Sequence, residues 1–382
     1  MDARATQAGE LMSRFAERTG LDSAAPERRY LWTDAFAVCN FLGLARAAGD
    51  TSRLALARRL VERVHHVLGR HRPDDVRRGW IGGASDADGE AHPTAGGLRI
   101  GKPLPERGAG EPLDQRLEWD RDGQYFHYLT KWMHALDRLA GATADPDAGR
   151  WARELAVVAH RAFTFTPRGG GARRMHWKMS IDLSRPLVPS MGQHAPLDGW
   201  ITSVQLTTGG GCATTAEAGE LQAAASDFAS MAGAGTLVTE DPLGLGGLLT
   251  DAVRVAQLMA RGAFADGRLA AALLAAAHEG LASYARGGEW RLPAAHRLGF
   301  RELGLAIGLR GVEWLRERPE GAPLRPALDA LARWMPLGDE ITTFWATPAH
   351  REAASWSAHL DINEVMLATS LAPEGFLVLS RA

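Results

Sequence analysis

The sequence predicts an all-α protein, a closed (α/α)6 toroid of six helical hairpins with an inner ring of parallel helices and long loops at one mouth. Three observations predict it. Alternating β-branched runs are nearly absent, while Ala, Leu and Arg recur at helical spacing through long segments. The helical segments alternate between amphipathic and apolar on every face. The connections alternate in step, short then long.

The periodicity predicts about twelve helices, near 3–19, 30–46, 51–71, 123–140, 147–164, 198–207, 215–232, 243–261, 266–286, 296–315, 322–335 and 360–371. Those near 3–19, 51–71, 147–164, 266–286 and 322–335 carry charge on one face, as in the run from Leu54 to Arg63. Those near 30–46, 243–261, 296–315 and 360–371 are apolar almost all round, Trp32 to Leu44 most plainly. A helix that is hydrophobic on every face is buried, so half-exposed and buried helices in alternation describe an outer ring wrapped on an inner one. Inner-to-outer connections such as 47–50 and 141–146 are short, whereas 72–122, 166–197 and 336–359 are long. The reading is one domain over 1–382 with a long loop insertion at about 72–122, whose glycines suit either an ordered lid or a mobile one.

Composition narrows the partners. Hydrophobic residues make up 46% of the 382, enough for a large core, and the formal net charge of -2 gives no attraction to nucleic acid or acidic lipid. The polar opening and the lack of a long apolar run predict a cytoplasmic protein without a membrane span. Cys39 and Cys212, the two cysteines, show no CxxC or Cys/His spacing, so neither a disulfide framework nor structural zinc is expected. Gly169–Gly171 and Gly209–Gly211 lack the strand and the Lys-Ser/Thr of a phosphate loop, and there is no HExxH or GxSxG. The sequence therefore predicts no metal and no cofactor. Of 43 basic residues only Lys102, Lys131 and Lys178 are lysine, so a lysine marks a place where a compact ammonium replaces a guanidinium fork.

Parallel inner helices bring every long loop and every inner-helix N-terminus to one mouth, where unpaired N–H groups add positive partial charge. Long ordered loops are usually functional, and eight of the twelve tryptophans (Trp32, Trp80, Trp119, Trp177, Trp200, Trp290, Trp345, Trp356) fall in or just after them. Their flat faces suit stacking on a sugar ring or plugging a core. Four polar clusters share this end. Asp34 enters an apolar helix at its first turn, as a cap or as an acid. Asp120, Gln124, His127, Lys131 and His134 recur every three or four residues as one polar stripe next to Trp119. A third cluster holds His176, Lys178, Arg185 and His194, and a fourth holds Trp356, His359, Asp361 and Glu364. The last reads as capping or acid–base work, with its lone HxDxxE only a weak signal for a metal.

The Trp32-Thr33-Asp34-Ala35-Phe36 opening and the closing Trp356-to-Glu364 segment, with the helix pattern over nearly the whole chain, resemble the six-hairpin glycosidase-like superfamily. Its members include glycoside hydrolases, unsaturated glucuronyl hydrolases and N-acylglucosamine 2-epimerases, and no single member's signature is complete here. The resemblance implies a carbohydrate-active enzyme with a small saccharide as partner. As a glycoside hydrolase it would use two carboxylates from Asp34, Asp120, Asp361 and Glu364. As a sugar 2-epimerase it would use His194 and His359 on opposite faces of the opened sugar, with Arg185 or Lys178 at the enolate oxygen. The breadth of hydrolysis in this architecture puts it first. An enzyme for a terpenoid or other apolar substrate, and a non-catalytic binding protein, are the remaining readings. The oligomeric state is not legible.

Overall fold

The computed structural model describes residues 3–188, 190–209, 214–233 and 235–379. It is 66% helix and 4% strand, so the all-α class holds. The first helices are α1 (Ala3–Arg18), α2 (Leu31–Ala48), α3 (Thr51–Leu68), the short α4 (Asp86–Ala91) and α5 (Gln115–Glu118). Then come α6 (Phe126–Thr143), α7 (Pro146–Phe163), α8 (Ala195–Thr208), α9 (Thr215–Ala232), α10 (Pro242–Ala260) and α11 (Arg268–Gly287). The last are α12 (Gly299–Arg316), α13 (Arg325–Leu331), α14 (Met335–Ala346), α15 (Ala354–Ser357), α16 (Leu360–Leu371) and α17 (Glu374–Leu377). Among the described residues five strands of two or three residues interrupt them: β1 (Gln124–Tyr125), β2 (Thr164–Phe165), β3 (Arg174–Met175), β4 (Lys178–Met179) and β5 (Pro186–Val188).

The helix ends follow local chemistry. Asp145 accepts from the Asp147 N–H ahead of Pro146, and Asp241 accepts from the Gly244 N–H ahead of Pro242. Thr214 and Glu217 form a reciprocal capping box at the start of α9. Two predicted stretches come out differently. The helix expected from 123 begins at Phe126, because Gln124 and Tyr125 pair as β1 with Met179 and Lys178 of β4. The helix expected over 322–335 is broken by Pro323, Pro326 and Pro336, which have no N–H to donate. The last of these opens α14, so much of the supposed loop 336–359 is helix.

The chain divides into two compact units. One holds 18–38 and 54–235; the other holds 3–17, 39–53 and 236–379, so α2 is shared between them at Val38 and Cys39. In the first unit α6 packs against α7 and α8, and α9 packs against both α7 and α8. The sheet order β1-β4-β5 straps residues 124–125 to 178–188, and β2 pairs with β3. In the second unit α10 packs on α11 and α12, and α12 meets α13, α14 and α16. The α10–α12 approach depends on glycine: a Cβ on Gly246 would lie 2.1 Å from the Gly304 carbonyl oxygen.

The 72–122 segment is tied to its own unit by hydrogen bonds. Buried Asp122 receives Arg99 Nη1 at 2.9 Å and the Gly101 N–H at 3.0 Å, and its own N–H donates to the Leu104 carbonyl at 2.8 Å. No helix among the described residues is long and apolar enough to cross a membrane. Cys39 is buried; Cys212 lies outside the described residues, as do Gly210 and Gly211 of the second glycine run and Pro189 of the long 166–197 loop.

Candidate functional site

The β1–β4 pairing puts Tyr125 beside Lys178, and the first turn of α6 then projects His127 and Tyr128. The strap continues through Trp177, whose carbonyl accepts the Phe126 N–H at 3.3 Å. Tyr30 and Trp32, at the start of α2, complete an aromatic cluster in the first unit. Its ring centroids stand 5.6 Å apart for Tyr30–Tyr128, 5.3 Å for Trp32–Tyr128, 5.8 Å for Trp32–His127 and 5.5 Å for Tyr125–Trp177. Trp119 joins through Trp177 at 5.4 Å and is half exposed, while Trp32 is buried. Tilted and edge-to-face contacts at these separations are favourable. The Tyr30 and Tyr128 hydroxyls share a hydrogen bond of 2.7 Å.

His127 lies at the centre. Its Nδ1 accepts the indole N–H of Trp177 at 3.1 Å, so the neutral ring carries its proton on Nε2. Burial, and then the nearby charge of Lys131, depress its pKa to about 3. The half-buried His127 is therefore a neutral N–H donor at any ordinary pH. Burial also raises Tyr30 to about 12, keeping its hydroxyl protonated.

All three lysines of the chain stand at this cluster. Lys131 Nζ lies 6.0 Å from the Trp32 ring, Lys178 Nζ 5.1 Å from Tyr125, and Lys102 Nζ 5.4 Å from Tyr30. Lys131, from α6, donates to both carboxylate oxygens of Asp198 in the first turn of α8, at 3.0 and 2.9 Å, and Thr130 donates to the same group. Fully buried Lys178 spends its three protons on Glu118 Oε1 and the carbonyls of Glu118 and Arg121, each at 2.8 Å.

Several predicted residues have other work. Asp34 Oδ2 accepts the Tyr30 N–H at 2.9 Å and its Oδ1 faces Arg29 at 3.3 Å, so it caps α2. Asp120 is exposed and precedes the helix, off the expected stripe; of that stripe His127, Lys131 and His134 lie on α6. Gln124 is wholly buried and structural, accepting from Leu98 N–H at 2.8 Å and donating to the carbonyls of Gly96 and Ile181. His134 bonds Gln205 of α8 deeper in the same seam. His176 stacks on Phe165 at 4.3 Å, and Arg185 donates to the Arg107 carbonyl. His194 occupies the N-cap position of α8.

The fourth predicted cluster belongs to the second unit. Trp356 is buried against Trp345 at 5.2 Å, a core contact. His359 sits at the N-cap position of α16 with its ring edge-on to Phe300, and Asp361 lies in the helix's first turn. Glu364 faces Arg14 at 3.4 Å. The most heavily bonded group here is Arg297, forked onto Glu302 at 2.7–3.0 Å, with Trp345 Nε1 donating to the same carboxylate. No group of His, Cys, Asp and Glu among the described residues could hold a metal ion.

Sequence reasoning missed Tyr30, Tyr125, Tyr128 and Asp198, and marked Lys102 only as one of the three lysines. A signal existed: three of the chain's four tyrosines and all its lysines converge here. No protein-family model matches the chain, and no curated protein sequence matches it.

Proposed function

We propose that the chain is a carbohydrate-active enzyme working at the cluster of Tyr30, Trp32, Tyr125, His127, Tyr128 and Trp177. The observation that carries this reading is His127, kept neutral in one tautomer by Trp177 and set among stackable rings beside the Lys131–Asp198 pair. A neutral imidazole N–H polarises a carbonyl oxygen without giving up its proton prematurely. The protonated tyrosine hydroxyls are further donors to a developing oxyanion. Asp198, a buried carboxylate beside His127, is the group to take a proton, with Lys131 holding it in place.

Of the two reactions expected from sequence, this arrangement favours proton transfer beside the carbonyl of an opened sugar, an isomerase or epimerase reaction. Glycoside hydrolysis is the second reading. Its support is Asp120, exposed and close enough for its charge to act on Tyr30 and Lys102, which with Asp198 makes two carboxylates at the cluster. The six-hairpin ring is part of the same proposal, supported within each unit by the pairing of alternate helices, α6 with α8 beside α7 with α9, and α10 with α12 beside α11 with α13.

Proton NMR of the protein with reducing sugars and disaccharides in D2O tests it. Deuterium entering at the carbon beside the carbonyl, lost in His127→Ala, is the expected result. New anomeric signals without exchange would turn the reading to hydrolysis, and no change with any saccharide would overturn both.

A further inference from the structure

Lys131 is paired with the Asp198 carboxylate and Lys178 is saturated by a carboxylate and two carbonyls, but the third lysine of the cluster has neither. Among the described residues no oxygen lies within hydrogen-bonding or ion-pairing distance of Lys102 Nζ, which stands 5.4 Å from the centre of the Tyr30 ring. Its backbone, by contrast, is tied down on both sides. Arg72 donates to the Lys102 carbonyl at 2.6 Å and the Pro103 carbonyl at 2.8 Å. The Lys102 N–H reaches Asp122 at 3.3 Å, and Gly101 turns at φ 91° where a Cβ would strike the Arg29 carbonyl at 2.3 Å.

The charges nearby do not neutralise it. Buried Asp122 is already faced by Arg99 at 2.9 Å and Arg72 at 3.5 Å. Asp120 is exposed to water, where its attraction is screened. A rigid backbone thus presents a half-buried ammonium, with no carboxylate or carbonyl partner among the described residues, beside Tyr30 of the aromatic cluster. Holding a lysine so firmly while leaving its head unbonded is the arrangement of a binding group awaiting an anion.

We propose that Lys102 is an anion-recognition residue and that the ligand of this site is an acidic sugar, its carboxylate or phosphate on Lys102 and its ring on the aromatic cluster. This rests on the saccharide reading above and specifies it. The anion can be a uronate or a phosphoryl group; both offer oxygens to a point-like ammonium.

Binding of glucuronate, glucose 6-phosphate and glucose to the full chain, read from tryptophan fluorescence at low and high salt, tests it. The expected result is at least about tenfold tighter binding of one or both acidic probes than of glucose, a preference that weakens with salt. Lys102→Met should abolish that preference by weakening the acidic probes at least about tenfold more than glucose; Lys102→Arg should keep most of it. Preference for one acidic probe alone identifies the anion. If glucose binds as well as either acid, or if Lys102→Met weakens all three alike, the inference fails while the saccharide site stands. If none of the three binds, the saccharide reading falls with it.

Discussion

Lys178→Met removes the charge of a fully buried lysine while keeping the length and most of the packing of its stem, so the loss can be worked out from its three bonds. The Glu118 carboxylate would retain only Arg107, at 3.2 Å, and two backbone carbonyls would lose a donor. Net contributions of about 0.5–1.5 kcal/mol per hydrogen bond give ~1.5–4.5 kcal/mol for three. Breaking a buried ion pair from one side costs about 3–5 kcal/mol by the separate route of a stranded charge. The two ranges overlap near about 4 kcal/mol. With a urea dependence of about 3 kcal/mol per molar, the unfolding midpoint of the unit holding residues 54–235 should fall by about 1 M. Replacing Glu118 by Leu in the same chain should recover part of that loss, since no stranded carboxylate remains. A midpoint within about 0.2 M of the parent, accompanied by lost sugar binding, would refute the structural assignment and make Lys178 a ligand-binding group.

The other predictions follow from the indole-to-imidazole bonds and the buried arginine. His65, like His127, accepts an indole N–H, from Trp132 at 3.1 Å, and burial likewise depresses its pKa to about 3. Both folded values lie below the unfolded 6.5, so the stability they confer is complete above that pH and is lost as pH falls towards 3. Each should contribute a slope of up to roughly 1.4 kcal/mol per pH unit, checked by urea midpoints between pH 8 and 5, and His65→Gln should flatten it. In Trp177→Phe the ring stack survives but Nδ1 loses its donor, so nitrogen NMR should show the single-tautomer signature of His127 broken while sugar binding changes only a few-fold. Arg297→Lys should destabilise the second unit by about 2–4 kcal/mol, because an ammonium cannot reproduce the forked bonds to Glu302; an unchanged melting profile would refute it.

Helix class and most helix limits were legible because apolar periodicity and caps are local: Asp145-Pro146, Thr214-Glu217 and Asp241-Pro242 each announce a start. The break around Pro323, Pro326 and Pro336 was equally local, and a stricter reading of proline would have found it. The site was less legible for a different reason. Gln124 and His127 look alike as members of a polar stripe, yet a two-residue strand pairing rotates the first into a backbone staple and leaves the second in the aromatic cluster. That pairing partner lies more than fifty residues away, so no window of sequence contains it. Asp34 shows the complement: a carboxylate at the first turn of an apolar helix reads equally as a cap or as an acid from sequence, and its bonds to Arg29 and the Tyr30 N–H are those of a cap.

The scarcity of lysine makes this protein unusually easy to interrogate with amine chemistry. Every side-chain ammonium in the chain touches one cluster, and the three differ in how they are held. An acylating reagent would meet Lys102 first, Lys131 only when it leaves Asp198, and Lys178 only when the fold opens. Mass mapping of three peptides would therefore read out ligand occupancy, the integrity of the Lys131–Asp198 pair and local unfolding in one experiment, with no engineered probe.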